Sequence, residues 1–264
     1  MTDYPPAPAS VPALEMTGVA VGAMRDPDAL VAEEINWTVN PGDYWVVAGL
    51  QGSGKSDFLM LAGGLMAPRR GQYRFFGEEM PIFEDARLKQ RLRLGLVFDG
   101  GQLFNQLTIA DNIALPLRYH HNLSEAQAAA AIAELLDCTQ LAPWAKSAPS
   151  SLGRNWQQRA GLARALALKP EVLLVDNPLS GLDPRHVHWW LDFLDQLSQG
   201  HSLLEGRPLT LVVTAADFQP WKGHARQFAV LGNRGFTVLG SWAQFEAASE
   251  ERVRELLTER APTE

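Results

Sequence analysis

The chain has 264 residues, 46% hydrophobic and 20% charged, which suits a globular protein of one α/β domain with an inserted subdomain. Its formal net charge of −7 argues against a nucleic-acid partner. A single cysteine, Cys138, excludes a disulfide framework and fits a reducing compartment, and no run approaches the roughly 18–20 apolar residues that a membrane-spanning helix needs.

Residues 1–12 are Pro-rich and have neither a basic n-region nor an apolar h-region, so a loose tail is expected there, not a secretory leader. Alternating or β-branched runs predict strands at 14–21, 35–39 and 44–48, the last leading into a glycine-rich turn. A helix follows at 56–62, then short strands at 71–76 and 94–98. The texture then turns helical, at 108–115, 125–137 and 156–168, and Ser124 with Gln127 matches a capping box ahead of the middle helix. Strand texture returns at 172–175, 209–213, 227–231 and 236–239, with helices at 185–197, 241–247 and 250–260. The expected organisation is an α/β domain over 13–248 with helices inserted at about 100–168, and a C-terminal helix and tail over 249–264.

Gly49-Leu50-Gln51-Gly52-Ser53-Gly54-Lys55-Ser56 fits the GxxxxGK[ST] phosphate loop in full, and Asp57 follows it. Its glycines let successive backbone N–H groups turn inward around phosphate oxygens. Lys55 would reach the β- and γ-phosphates, and Ser56 would bind Mg²⁺. The loop opens a helix, whose N-terminus favours an anion. A second element is the apolar strand Val172-Leu173-Leu174-Val175 ending in Asp176, a carboxylate placed to hold Mg²⁺ opposite Ser56.

Asp176-Asn177-Pro178-Leu179-Ser180-Gly181-Leu182-Asp183-Pro184 is similar to the "DEPxSGLDP" stretch of ABC nucleotide-binding domains, and Gln157-Gln158-Arg159 with Leu162-Ala163-Arg164-Ala165-Leu166 resembles that family's "QQRxxLARAL" helix. The resemblance runs in order from about residue 14 to about 240. It implies a P-loop NTPase core with a parallel-rich sheet, an N-terminal antiparallel β portion and an inserted ABC helical subdomain. It also implies ATP and Mg²⁺ as cofactors, and a head-to-tail dimer in which each ATP lies between one P-loop and the other subunit's signature motif. Ser180, Gly181, Leu182 and Asp183 correspond to the interface-crossing D-loop, unchanged.

The resemblance fails at the residues that drive hydrolysis. The Q-loop glutamine is replaced by Asp99, which would touch Mg²⁺ or a water with shorter reach; Gln102 is the alternative amide. The signature serine and glycines are replaced by Gly153, Arg154 and Asn155, followed by Trp156. The catalytic glutamate is Asn177 and the switch histidine is Ala215, so no catalytic position is intact; no aromatic stands near Val21-Gly22-Ala23 for adenine to stack on. An amide orients water but does not take its proton, and general-base help is worth about 10²–10⁴-fold.

Residues 100–118, with Leu103-Phe104, Leu107-Thr108-Ile109 and Asn112-Ile113-Ala114-Leu115-Pro116-Leu117-Arg118, resemble the segment of Mce-type and lipid-asymmetry phospholipid transporter ATPases that faces the permease. Three functions compete. The first is a hydrolysis-poor, structural or regulatory ATP-binding subunit, peripheral on the cytoplasmic face of a membrane through a permease and paired with a second ABC ATPase. The others are an active ATPase with substitute residues and a soluble non-transport ABC protein. His120-His121, His186 and His188 have the wrong spacing for metal ligands on one helix face and are expected at the surface, and Trp189-Trp190 is expected to pack.

Overall fold

Two sheets frame the molecule, a computed structural model that describes residues 11–26, 29–80 and 87–247. The first is antiparallel, in the order β2-β1-β4-β5, from β1 (Leu14–Gly22), β2 (Leu30–Val39), β4 (Arg70–Phe75) and β5 (Glu78–Glu79). The second has the order β10-β9-β3-β8-β7-β6, from β3 (Tyr44–Ala48), β6 (Leu94–Val97), β7 (Val172–Val175), β8 (Thr210–Ala215), β9 (Gln227–Gly232) and β10 (Gly235–Gly240). β3, β6, β7, β8 and β9 run parallel; β10 returns antiparallel at one edge.

Strand periodicity divides the core in two. Trp45 and Val47 face the space between the sheets, where α1 (Lys55–Ala62) buries Phe58, Leu59 and Leu61. Tyr44, Val46 and Ala48 face the opposite side, under α5 (Arg154–Leu166) and α6 (Pro184–Gln199). Covered on both faces, β7 is apolar at every position, as parallel strands usually are.

After α2 (Leu88–Arg91) and β6, the chain makes α3 (Ile109–His121), α4 (Glu125–Cys138) and α5 before it re-enters the sheet as β7. The Ser124–Gln127 capping box forms in both directions. α3 runs further than predicted, through Pro116 to His121. The proline costs about 3 kcal/mol, but the face of Ile109, Ile113, Ala114 and Leu117 is buried, at roughly 1.5–3 kcal/mol for each large side chain. β2 begins at Leu30, before its predicted start, because register shifts around Glu34 (φ 53) hide the alternation. The final helix, α7 (Trp242–Ala247), matches its predicted position; the helix predicted at 250–260 lies outside the described residues.

Candidate nucleotide-binding site

The C-terminal ends of four neighbouring parallel strands converge, the usual place for a ligand in an open α/β sheet. β3 leads into residues 49–56, β8 ends at Ala215, β7 meets Asp176, and β6 leads to Asp99. Gly54 is the N-cap of α1 at φ 84, and a Cβ there would lie 2.2 Å from Cγ1 of Val31. Conformation and space both demand glycine. Lys55 Nζ donates to Gly49 O at 2.6 Å and Leu50 O at 2.7 Å, holding the ammonium inside the turn. Burial lowers the Lys55 pKa from the usual lysine range, and the charge of Asp176 pulls it the other way. Ser53 Oγ is buried with no protein partner, while Gln51 and Gly52 are exposed at the loop's outer edge. Asp57 Oδ1 accepts from Met24 N at 3.0 Å, tying the β1–β2 turn to the first turn of α1.

Asp176 sits 5% exposed at the centre of a hydrogen-bonded set. Ser56 Oγ donates to its Oδ2 at 2.6 Å and Thr214 Oγ1 donates to its Oδ1 at 2.6 Å. Thr214 Oγ1 also accepts from Asn177 N at 3.0 Å, and Gln158 Nε2 of α5 donates to Asp176 O at 3.0 Å. A hydroxyl and a carboxylate in contact, with an ammonium nearby, suit a hard cation bridged to phosphate. Ser56, Asp176 and Lys55 are therefore the residues fitted to hold Mg²⁺ and a triphosphate. Thr214 and Gln158 were not foreseen as part of this set. In the sequence Thr214 is only a hydroxyl near the end of a strand that also begins with one, Thr210.

The remaining candidates surround this centre. Asn177 has φ 47, a left-handed conformation that asparagine tolerates, and Ala215 is buried at the end of β8, its carbonyl accepting from Gly49 N. Asp99 is ion-paired with Arg154, the first residue of α5. Gly153, the α5 N-cap, has no side-chain capping bond. Residues 153–156, 180–183 and His186 line a cleft of about 510 Å³, so residues 153–156, where a signature was expected, share one surface with Ser180, Gly181, Leu182 and Asp183.

Behind that cleft, Arg159 lies between Trp156 and Trp189, 4.7 and 3.6 Å from their ring centroids. It donates to Gln140 Oε1 at 2.8 Å and to His186 Nδ1 at 3.0 Å. Burial, with Arg185 adding to it and Asp183 opposing, brings the Arg159 pKa down to about 10. His186 departs from the surface position expected of it: its side chain is 13% exposed and meets Trp156 edge-on. Trp190 is fully buried, as packing requires. Among the described residues no group of histidine, cysteine or carboxylate side chains is arranged to hold a metal by itself. In residues 100–118, buried Asn112 bonds Phe104 N, Phe104 O and Thr108 O, while the Phe104 ring is exposed.

A family model for the ABC transporter matches residues 32–180. The chain is 31% identical over 228 residues to the intermembrane phospholipid transport system ATP-binding protein MlaF of Escherichia coli K12, an overlap covering 86% of this chain and 82% of that protein. It is 34% identical over 214 residues to the methionine import ATP-binding protein MetN of Lacticaseibacillus paracasei, where the overlap is 80% of this chain but only 59% of MetN. The same fold occurs in an ATP-binding cassette solved as a dimer in a post-hydrolysis state with ADP and Pi (TM-score 0.74, 24% identity, 84% of this chain and 95% of that one). It occurs also in CbiO1 of Clostridium perfringens, part of the CbiONQ transporter complex (TM-score 0.73, 20% identity, 92% and 93%). With a family model matched over more than half its length and a relative matched over most of both chains, this protein belongs to the ABC transporter family and is an ATP-binding transporter subunit.

Proposed function

We propose that the chain binds Mg-ATP at residues 49–57 and hydrolyses it slowly, as the structural or regulatory half of a pair of ATPase subunits beneath a membrane permease. The observation that carries this is a contrast within one site. Ser56 is bonded to Asp176 beside Lys55, whereas Asn177 and Ala215 stand where a base and an imidazole would act. Losing general-base help of about 10²–10⁴-fold corresponds to roughly 3–5 kcal/mol of barrier. A homodimer would have two base-less sites, so a second, complete ATPase subunit is the favoured partner.

Lipid is the proposed cargo class, on the similarity to MlaF and on the character of residues 100–118. The exposed Phe104, whose backbone Asn112 bonds, supports that segment as the permease-facing surface. Among the described residues no helix is long and apolar enough to cross a membrane, so attachment to its cytoplasmic face would run through the permease.

Calorimetry tests the first half of the proposal: Mg-ATP binds the folded chain, and Lys55→Ala weakens binding about 10- to 100-fold, the weight of one or two charge-assisted hydrogen bonds. Absence of Mg-ATP binding, alone and in the complex, refutes it. In the reconstituted transporter, replacing the partner's catalytic acid by its amide abolishes turnover, whereas Lys55→Ala here leaves some behind. Turnover that survives the partner's acid-to-amide change would refute the regulatory half.

A further inference from the structure

Two of the departures from the ABC motif pattern are bonded to each other. Arg154 Nη2 donates to Asp99 Oδ1, joining the altered Q-loop position to the altered signature position. The rest of the loop after β6 is fastened to α5 differently. A Cβ on Gly101 (φ 76) would lie 2.1 Å from Gln157 O, and one on Gly161 would lie 2.7 Å from Gly101 Cα, so the two backbones touch. Arg164 donates to Gln102 O at 3.0 Å and to Gly101 O at 2.8 Å. Close packing and bonds to backbone carbonyls hold the loop on α5 whatever Asp99 does.

The Asp99–Arg154 link is of another kind. The two side chains are 38% and 54% exposed, so water competes with the pair, and its formation contributes little to folding. Arg154 also lines the cleft shared with residues 180–183. A guanidinium has five N–H donors in a planar fork, and one carboxylate leaves donors free for a second anion. Its position is thus fixed by a partner that a more highly charged anion can displace.

We propose that Asp99 is a positioning residue for Arg154: it holds the guanidinium at the cleft as an internal counter-ion and yields it to a polyphosphate arriving from the facing side. In the working assembly that polyphosphate is the nucleotide on the partner ATPase subunit, the one respect in which this assignment rests on the function proposed above. The carboxylate sets how readily the altered signature accepts phosphate.

The test uses the full-length chain carrying Lys55→Ala, which weakens its own phosphate loop, with inorganic tripolyphosphate as the probe. Binding is read from the side-chain NMR resonance of Arg154 and, where that residue is replaced, from the backbone amides of residues 153–156. Asp99→Asn tightens tripolyphosphate binding about two- to fivefold, the weight of an exposed ion pair. Asp99→Glu, which keeps the charge, leaves affinity near that of Asp99. Arg154→Gln removes the binding response, and Asp99→Asn adds nothing in that background. The assignment is overturned if Asp99→Asn leaves affinity unchanged, if its gain survives Arg154→Gln, or if tripolyphosphate shifts none of these resonances. Lys55 is absent from every sample. Failure of the wild-type chain to bind Mg-ATP would count against the proposed function without deciding this result.

Discussion

Two helices of this protein begin alike and are held differently. α1 opens with Gly54, Lys55 and Ser56, and α5 opens with Gly153, Arg154 and Asn155: in each a glycine N-cap is followed by a cation and a small polar residue. At α1 the glycine is at φ 84 and wedged against Val31, and the lysine is folded back onto two carbonyls. At α5 the glycine has φ −62 with nothing within 4 Å of a Cβ position, and the arginine is exposed and paired with Asp99. The first opening is fixed by conformation and packing; the second is free of both. The opening of α5 can change with little cost to the fold, whereas the phosphate loop changes only with a loss of stability. Residues 153–155 thus lie where the fold constrains the chain least, unlike Asn177 at φ 47 and the buried Ala215.

The largest effect belongs to chemistry. Asn177→Glu returns a carboxylate to the position beside Asp176, and in a reconstituted complex whose partner acid is replaced by its amide it restores turnover by about 10²-fold, the lower end of general-base help. The lower end applies because residue 177 has φ 47, where glutamate costs roughly 1–2 kcal/mol and asparagine less. Unchanged turnover would move the deficiency from the missing base to another part of the composite site. Next come the glycines themselves. Gly54→Ala meets both strain and a clash and lowers unfolding free energy by about 2–4 kcal/mol, whereas Gly153→Ser changes it by a few tenths. Denaturant titration of the two variants measures the difference, and equal losses would break the comparison.

Thr214→Val is smaller. It leaves Asp176 Oδ1 and Asn177 N without their hydroxyl partner inside the sheet, costing about 1–3 kcal/mol. It also raises the Mg²⁺ concentration needed for tight ATP binding, and Thr214→Ser restores it; a stability loss with unaltered Mg²⁺ dependence would make Thr214 merely structural. This residue shows where sequence reading ends. The phosphate loop, the strand before Asp176 and the capping box of α4 are contiguous in the chain, so their chemistry is legible as spacing. Thr214 acts on a carboxylate 38 residues away, and Arg154 on one 55 residues away. No local pattern shows such a pair, because strand order and the docking of α5 create it. α3 is a different case: Pro116 is a sound reason to end a helix, overruled by an apolar face that only the packed structure shows to be continuous.

The smallest effect concerns His186, behind the altered tip. Arg159 of α5 donates to its Nδ1, so the folded state keeps that nitrogen unprotonated, and Nε2 lies 3.7 Å from Asp183 Oδ2. Burial lowers the His186 pKa below the usual 6.5, Asp183 opposes this, and the positive charges of Arg159 and Arg185 reinforce it. Trp156, also on α5, meets the ring in a T-shaped contact and adds no charge. The unfolded chain therefore binds a proton at this position before the folded chain does. The linked stability is fully present above about pH 6.5 and is lost as pH falls from there through the lowered folded value. His186→Gln, which still accepts from Arg159 through its amide oxygen, removes that loss, so its melting temperature falls less steeply than wild type as the pH is lowered from 7 to 5. Gly153→Ser, on the exposed side of the same cleft, keeps the wild-type pH dependence. If His186→Gln and wild type follow parallel curves over that range, the imidazole is not held neutral by its burial and the neighbouring arginines, and α5 is less firmly backed than the stacking of Arg159 against Trp156 and Trp189 implies.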